Sequence, residues 1–320
     1  MILVLRALGV GDLATAAPAL RGLRHAHPEQ AIALAAPPAL APLAVLTGAV
    51  DRIVPVDLDD LRPRRFEFRP PRLAVNLHGR GPQSHRLLSG AAADRTYAFA
   101  CPAAEFTDGP QWQDEEHEVE RWCRMLSWYG VETDPHDLDL RRPEPSGRPE
   151  VPTGATVIHP GAKAAARRWP PERYAEVARS LAADGHRVVI TGTSGEYDAC
   201  RQIADRAGLP DRAVLAGRTD VGDLAALIAN ARLVVSGDTG AGHLATAYRT
   251  PSVLLFGQVS PGRWGPPEDR PWHRVLWRGE RAAEPAPASG PHPALAAIDV
   301  EEVLGAVARA EQAAAPAPAR

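Results

Sequence analysis

The sequence predicts an α/β protein made of two doubly wound, Rossmann-like domains. Short apolar runs recur in both halves, each followed by a polar or glycine-bearing loop and then by a helical pattern. A stretch rich in proline and charge, Glu132 to Gly154, interrupts that alternation once. The 320 residues are enough for two domains, each with its own core.

In the first half the runs are ILVLR, AIALAA, RIVPV and RLAVNL. Val119, Trp122, Cys123 and Leu126 then fall at i, i+3, i+4 and i+7, one face of a helix. The second half restarts with ATVIHPG and continues with HRVVITG, RLVVSGD and PSVLLFG. One helix between them carries Tyr174, Val177, Ala178 and Leu181, and another Leu224, Leu227, Ile228 and Ala231. A last helix carries Val300, Val303, Leu304 and Val307, and the Ala/Pro tail beyond Glu311 is expected to fray. Alternation of this kind implies parallel sheets covered by helices on both faces. The expected domains are residues 1–150 and 151–320, with the last helix a candidate to pack back on the first. Two such domains facing each other would enclose a cleft suited to two substrates.

Composition narrows the function. With 45% hydrophobic and 23% charged residues the chain is globular. A net charge of -3 and no basic stripe exclude nucleic acid as the main partner. No stretch approaches ~18 apolar residues, so no transmembrane segment is expected. The N-terminal apolar run is too short for a signal peptide, which points to the cytoplasm and leaves room for peripheral membrane contact. Cys101, Cys123 and Cys200 form no CxxC pair, which fits a reducing compartment and excludes a cysteine-based metal site. Lys163 is the single lysine in an arginine-rich chain, a bias of the kind genome composition produces.

Ligands of doubly wound sheets bind at the carboxyl ends of strands, so the loops there hold the candidate site residues. GVGD follows the first strand. Gly9, Gly11 and Ala14 fit a dinucleotide fingerprint, but the second strand brings no acid for a ribose, and Asp12 would oppose a pyrophosphate. Asp12 reads equally as a general base and as a helix N-cap. HPGAKAAARRWPPERY places His159, Gly161, Lys163, Arg167 and Arg168 around a strand end and a helix start. Those cations would neutralise a departing diphosphate and make a metal dispensable; the alternative is a solvated basic loop. SGDTGAGH offers Asp238, Thr239, Gly240 and His243 for phosphate and sugar, against ordinary helix capping. A DTG triplet also occurs in aspartic proteases, which need two such carboxylates in β-rich surroundings, so that reading fails. Glu196 in TGTSGE suits ribose hydroxyls, or is a first-turn acid. Arg263 and Trp264, in SPGRWGPP, are weaker candidates. In HGRGPQSHR, His78, Arg80, His85 and Arg86 are candidates to receive an anionic acceptor.

In this order the motifs resemble those of glycosyltransferase family 9, the heptosyltransferases acting on lipopolysaccharide cores. The resemblance runs along nearly the whole chain, from RALGVGDLATAAPALRGLR to SGDTGAGHLATAYRTPSVLLFGQVSPGRWGP. It implies a GT-B fold, an acceptor-side first domain, a donor-binding second domain, an ADP-heptose-type donor and inversion at the anomeric carbon. By the same resemblance Asp12 is the base, Glu196 holds the nucleotide ribose, and Asp238 and Thr239 touch donor sugar and phosphate. Arg167 stands where the family has a phosphate-binding lysine, and Gly279 to Pro293 lacks the cysteines many relatives carry there. The expected partners are a nucleotide-sugar donor and a glycan, glycolipid or small-molecule acceptor, with no cofactor and no metal. Two other readings compete: a dinucleotide-dependent oxidoreductase, and a sugar-nucleotide binder or epimerase on the same fold.

Overall fold

The computed structural model describes residues 1–57, 61, 66, 68–144, 151–280, 287 and 289–315. They form two units, Met1–Arg141 and Arg142–Arg320. The expected boundary at 150/151 adjoins residues 145–150, which lie outside the described residues, as do 281–286 and 288 of the cysteine-free stretch.

The first unit holds a parallel sheet of β1 (Ile2–Leu5), β2 (Ile32–Ala36), β3 (Arg52–Pro55), β4 (Leu73–Asn76) and β5 (Arg95–Tyr97), in the order β3-β2-β1-β4-β5. β1, β2 and β4 are buried along their whole length, as expected of central parallel strands covered on both faces. The connecting helices are α1 (Val10–Thr15), α2 (Ala17–Ala26), α3 (Ala41–Leu46), α4 (Gln83–Ser89) and α5 (Glu118–Trp128). α5 buries Val119, Trp122, Cys123 and Leu126, the face read from the sequence, plus Met125. Val119, Met125 and Leu126 each contribute about 1.5–3 kcal/mol by that burial. In register Leu5 lies beside Ala35 and Asn76, so Arg6 and Leu77 leave the sheet next to each other.

The second unit repeats the wiring. β6 (Thr156–His159), β7 (Val188–Ile190), β8 (Leu233–Gly237), β9 (Ser252–Phe256) and β10 (His273–Trp277) run in the order β10-β9-β8-β6-β7. A parallel bridge from Ile190 to Val214 adds a one-residue strand beyond β7. Counting it, both units step outward on one side of their first strand and then start again on the other. The order therefore switches between β1 and β4, and between β6 and β8. His159 pairs with Ser236, so the HPG and SGDTG loops leave their strands at the same level.

The helices here are α6 (Pro171–Ala183), α7 (Tyr197–Ala207), α8 (Val221–Ala229), α9 (Gly240–Ala247), α10 (Pro261–Trp264), α11 (Pro293–Ala296) and α12 (Val300–Ala314). α8 stops two residues before Ala231, which instead closes a turn on Ile228. α12 runs three residues past Glu311, where fraying was expected to begin; residues 316–320 are outside the described set. The helix expected as a candidate to return to the first domain packs here on β9, β10 and α6 of its own unit. It places Val303, Ala306, Val307 and Ala310 in that core.

All three cysteines are free and buried. Burial pushes the Cys123 thiol up to about 11 and that of Cys200 to about 12, so neither is a nucleophile near neutral pH.

Candidate active site

At the β6/β8 switch point the segment after β6 is anchored from behind. Trp169 is 2% exposed, donates from Nε1 to the Ile298 carbonyl at 3.1 Å and meets Tyr174 edge-on at 4.9 Å. Arg173 donates to the carbonyls of Ala296 and Ile298. With WPPERY fixed, the turn Ala165–Arg167 presents Arg167 to the start of the β8 loop. Its Nη2 donates to Asp238 Oδ2 at 2.8 Å and to the Asp238 carbonyl. From the other side His243 Nε2 lies 3.4 Å from Asp238 Oδ1. Burial alone would raise the pKa of Asp238, but the His243 hydrogen bond and the charges of His243 and Arg167 hold it below the usual carboxylate range. Asp238 is thus ionised and oriented rather than a helix cap.

Thr239 is the N-cap residue of α9, yet its side chain makes no capping bond, and its buried Oγ1 has no partner among the described residues. The first intrahelical bond of α9 is His243 N–H to the Thr239 carbonyl, which leaves the amides of Gly240, Ala241 and Gly242 without intrahelical partners. Such an end attracts anions. The Trp264 ring lies 5.6 Å from that of His243, so the SPGRW loop belongs to the same cluster.

The remaining residues of this group are placed unequally. His159 Nδ1 pairs with Thr191 Oγ1 at 2.9 Å, and burial lowers its pKa against the opposing field of Glu196, so it is a neutral group. Glu196 accepts from the Thr193 amide at 2.8 Å and hydroxyl at 2.9 Å, closing its own turn. Gly161 faces that carboxylate so closely that a Cβ would collide with it. Lys163 stands exposed, and Arg168 donates from Nε to the Ala162 carbonyl at 2.8 Å, folding back on its own loop.

At the β1/β4 switch point Asp12 is the third residue of α1, not its N-cap, which is Gly9. Asp12 Oδ2 accepts from the Gly9 amide at 3.1 Å, while Oδ1 lies 3.7 Å from Arg6 Nη2. His78 shares this environment. Burial lowers its pKa to about 4, helped by Arg6 and opposed by Asp12, and its buried Nδ1 has no partner among the described residues. His78 is therefore a neutral hydrogen-bonding group here, not a cation for an anionic acceptor. Arg80 is exposed and 3.6 Å from an exposed Asp114, a contact worth little. Arg86 donates to the Ala103 carbonyl at 2.7 Å. His85 is structural: its nitrogens engage Asn76 Nδ2 at 3.1 Å and the Phe99 carbonyl at 2.9 Å.

The sequence reading passed over Arg6, Glu118 and Arg121. Arg6 has no exposed surface and pairs with Glu118 Oε1 at 2.9 Å, while Arg121 Nη1 pairs with Glu118 Oε2 at 2.5 Å. The available signal was an arginine ending an otherwise apolar strand, a placement that demands a buried partner.

Several histidines couple folding to pH. His78, His85, His159, His186 and His273 all have pKa values below the ordinary 6.5, each with burial as the first cause. The unfolded chain therefore protonates first, and the stability these neutral rings contribute is complete above 6.5. It is lost as pH falls, through about 4 for His78 and about 3 for His273. The melting temperature is expected to fall steadily from pH 6.5 to pH 4.5 in a buffer series. A flat profile over that range would show that these rings are not held neutral.

Among the described residues no group of three or more His, Cys, Asp or Glu could hold a metal ion. Nor is any described helix long and apolar enough to cross a membrane.

Two Rossmann-like domains, each with its polar loops gathered at the switch point, give the chain a fold of the GT-B class. The solved structure of Escherichia coli ADP-heptose lps heptosyltransferase II superposes with a TM-score of 0.76 at 24% identity, covering 98% of this chain and 99% of that one. A family 9 glycosyltransferase from Veillonella parvula gives 0.77 at 19% identity, covering 97% of each. The model of glycosyltransferase family 9 (heptosyltransferase) matches residues 109–284, over half of the chain, and the chain belongs to that family. It is 36% identical over 106 residues to lipopolysaccharide heptosyltransferase 2 of Escherichia coli K12, covering 32% of this chain and 30% of that protein. The chain thus spans about a third of the curated relatives it matches.

Proposed function

We propose that this chain is an inverting, metal-independent glycosyltransferase. It moves a heptose-type sugar from a nucleoside-diphosphate donor of the ADP-heptose kind to an acceptor hydroxyl on a lipopolysaccharide core or related glycan. The observation that carries this reading is the cluster at the β6/β8 switch point: an ionised Asp238 held by Arg167 and His243, beside the first amides of α9, which have no intrahelical partner, and the Thr239 hydroxyl, which has no partner among the described residues. Such a site suits a diphosphate and the sugar attached to it. The names of the relatives supply heptose and the lipopolysaccharide core.

In this reading Asp12 takes the acceptor's hydroxyl proton as its oxygen bonds to the anomeric carbon. The bond from that carbon to the diphosphate oxygen breaks on the opposite face, and the nucleoside diphosphate leaves with the electron pair. Arg167, Lys163, Arg168 and the α9 amides neutralise the leaving group, which removes the need for a metal. Glu196 accepts from the donor's ribose, and Asp238 and Thr239 hold the sugar. His78 supplies a neutral contact to the acceptor. The reaction runs in the cytoplasm, with peripheral membrane contact where the acceptor is lipid-anchored. The dinucleotide reading is disfavoured because the Asp12 carboxylate already caps the Gly9 amide, where a pyrophosphate would sit, and β2 ends in buried Ala35 and Ala36.

The test supplies ADP-heptose and a lipopolysaccharide-core acceptor and follows acceptor-dependent ADP release with and without EDTA. Release in both conditions is expected; loss on chelation with recovery on adding Mg²⁺ would overturn the metal-free reading. Arg167→Ala should weaken ADP binding by about 1.5–3 kcal/mol in calorimetry, and Lys163→Ala by less. Wild-type affinity in both variants would move the donor site elsewhere.

A further inference from the structure

The guanidinium of Arg6 is engaged on every edge. Nε donates to the Asp12 carbonyl at 2.5 Å and Nη1 to the Leu77 carbonyl. Nη2 donates to Glu118 Oε1 at 2.9 Å and lies 3.5 Å from Thr15 Oγ1 and 3.7 Å from Asp12 Oδ1. Its carbon sits 5.1 Å from the centre of the Trp122 ring, whose Nε1 also donates to Glu118 Oε1, at 2.8 Å. Arg121, which takes the second Glu118 oxygen, is itself held by the carbonyls of Gln113, Asp114 and Glu116.

Stability alone does not call for this network, because a buried ion pair can often be replaced by apolar side chains at no loss. An apolar residue at position 6 could pack on Trp122. It could not bind the first carbonyl beyond β4 and the carbonyl of Asp12 in one rigid plane, nor put a permanent charge beside Asp12 Oδ1. We propose that Arg6 is a positioning residue: it locks the turn carrying Asp12 against the end of β4 and, balanced by Glu118, sets the charge that Asp12 and His78 face together. This rests on the reading of Asp12 as the base. The groups facing that carboxylate are Arg6 at the end of β1, His78 beyond β4, and, through Arg6, Glu118 and Arg121 of α5. Burial, helped by the charge of Arg6, keeps His78 neutral beside Asp12.

Arg6→Lys and Glu118→Gln, made in the full chain beside Asp12→Asn, test the proposal by single-turnover rate, ADP affinity and melting temperature. Lysine keeps the charge but has no planar fork, so Arg6→Lys is expected to lose ~10²-fold in turnover, the cost of a misplaced reacting group, with ADP affinity unchanged. Glu118→Gln removes the counter-charge that fixes Arg6, so turnover should fall there too, again with ADP affinity unchanged. If Arg6→Lys folds and retains wild-type turnover, Arg6 is only structural. If Arg6→Lys does not fold, wild-type turnover in Glu118→Gln overturns the proposal and a fall in turnover at unchanged ADP affinity supports it. Activity retained in Asp12→Asn would refute the base itself; activity lost there but unchanged in the other two variants refutes the positioning role alone.

Discussion

Turnover of the Asp12→Asn variant is expected to fall by ~10²–10⁴-fold, the usual contribution of a general base. Asparagine keeps the size of the side chain, and its oxygen can still accept from the Gly9 amide as Asp12 Oδ2 does at 3.1 Å. It removes the basic site while leaving the local bond available, so the melting temperature should change little. ADP affinity should not change, since no donor role is assigned to Asp12. Pre-steady-state quenching under single-turnover conditions isolates the chemical step. A rate there within a few-fold of wild type would make Asp12 structural and send the search for a base elsewhere.

The largest stability effect is expected from Glu118→Ala. Removing this carboxylate leaves Arg6 and Arg121, both buried, as two guanidinium groups without their common counter-charge. Breaking a buried pair from one side costs ~3–5 kcal/mol, because the uncompensated charge stays in the interior. Burial raises the pKa of Glu118, but the charge and hydrogen bond of Arg6, the Trp122 bond and the Arg121 charge hold it below its ordinary value. Its contribution is present at neutral pH and is lost only as pH falls through that lowered value. Hydrogen exchange should show the loss in the amides of β1, β4 and α5, and little change in β8 and β9, whose core is separate. A loss below about 1 kcal/mol in urea unfolding would mean the two arginines find water, and the network is less closed than its distances imply.

Much of the fold could be read from the sequence because its central strands are unbroken apolar runs. Strands β1, β2, β4, β6, β7, β8 and β9 all coincide with such runs. β5 and β10 were missed. β5 has three residues, of which only Tyr97 is buried, and β10 mixes His273, Arg274 and Trp277 with two aliphatic residues, as strands at sheet edges do. The loops that carry the candidate polar residues were legible for the same reason: each follows a readable strand. What the linear chain hides is which polar groups meet across it. Arg167 and Asp238 are 71 residues apart and Arg6 and Glu118 are 112 apart, and nothing local in either partner announces the other. In HGRGPQSHR four similar side chains make four different sets of contacts, which the linear chain does not distinguish, and His78 lies in the field of Asp12.

The solitary lysine has a practical consequence. Lys163 is exposed at the carboxyl edge of the second sheet, and apart from the amino terminus it carries the chain's only primary amine. Amine-directed reagents therefore have two targets, the amino terminus and the loop next to Arg167 and Gly161, and alkaline conditions favour the second. A fluorophore there gives a reporter beside the proposed donor-binding loops without any mutagenesis. Attachment to an amine-reactive surface, by contrast, will tether the molecule through that same loop and obstruct it. Binding measured on such a surface should be compared with a preparation immobilised through another chemistry.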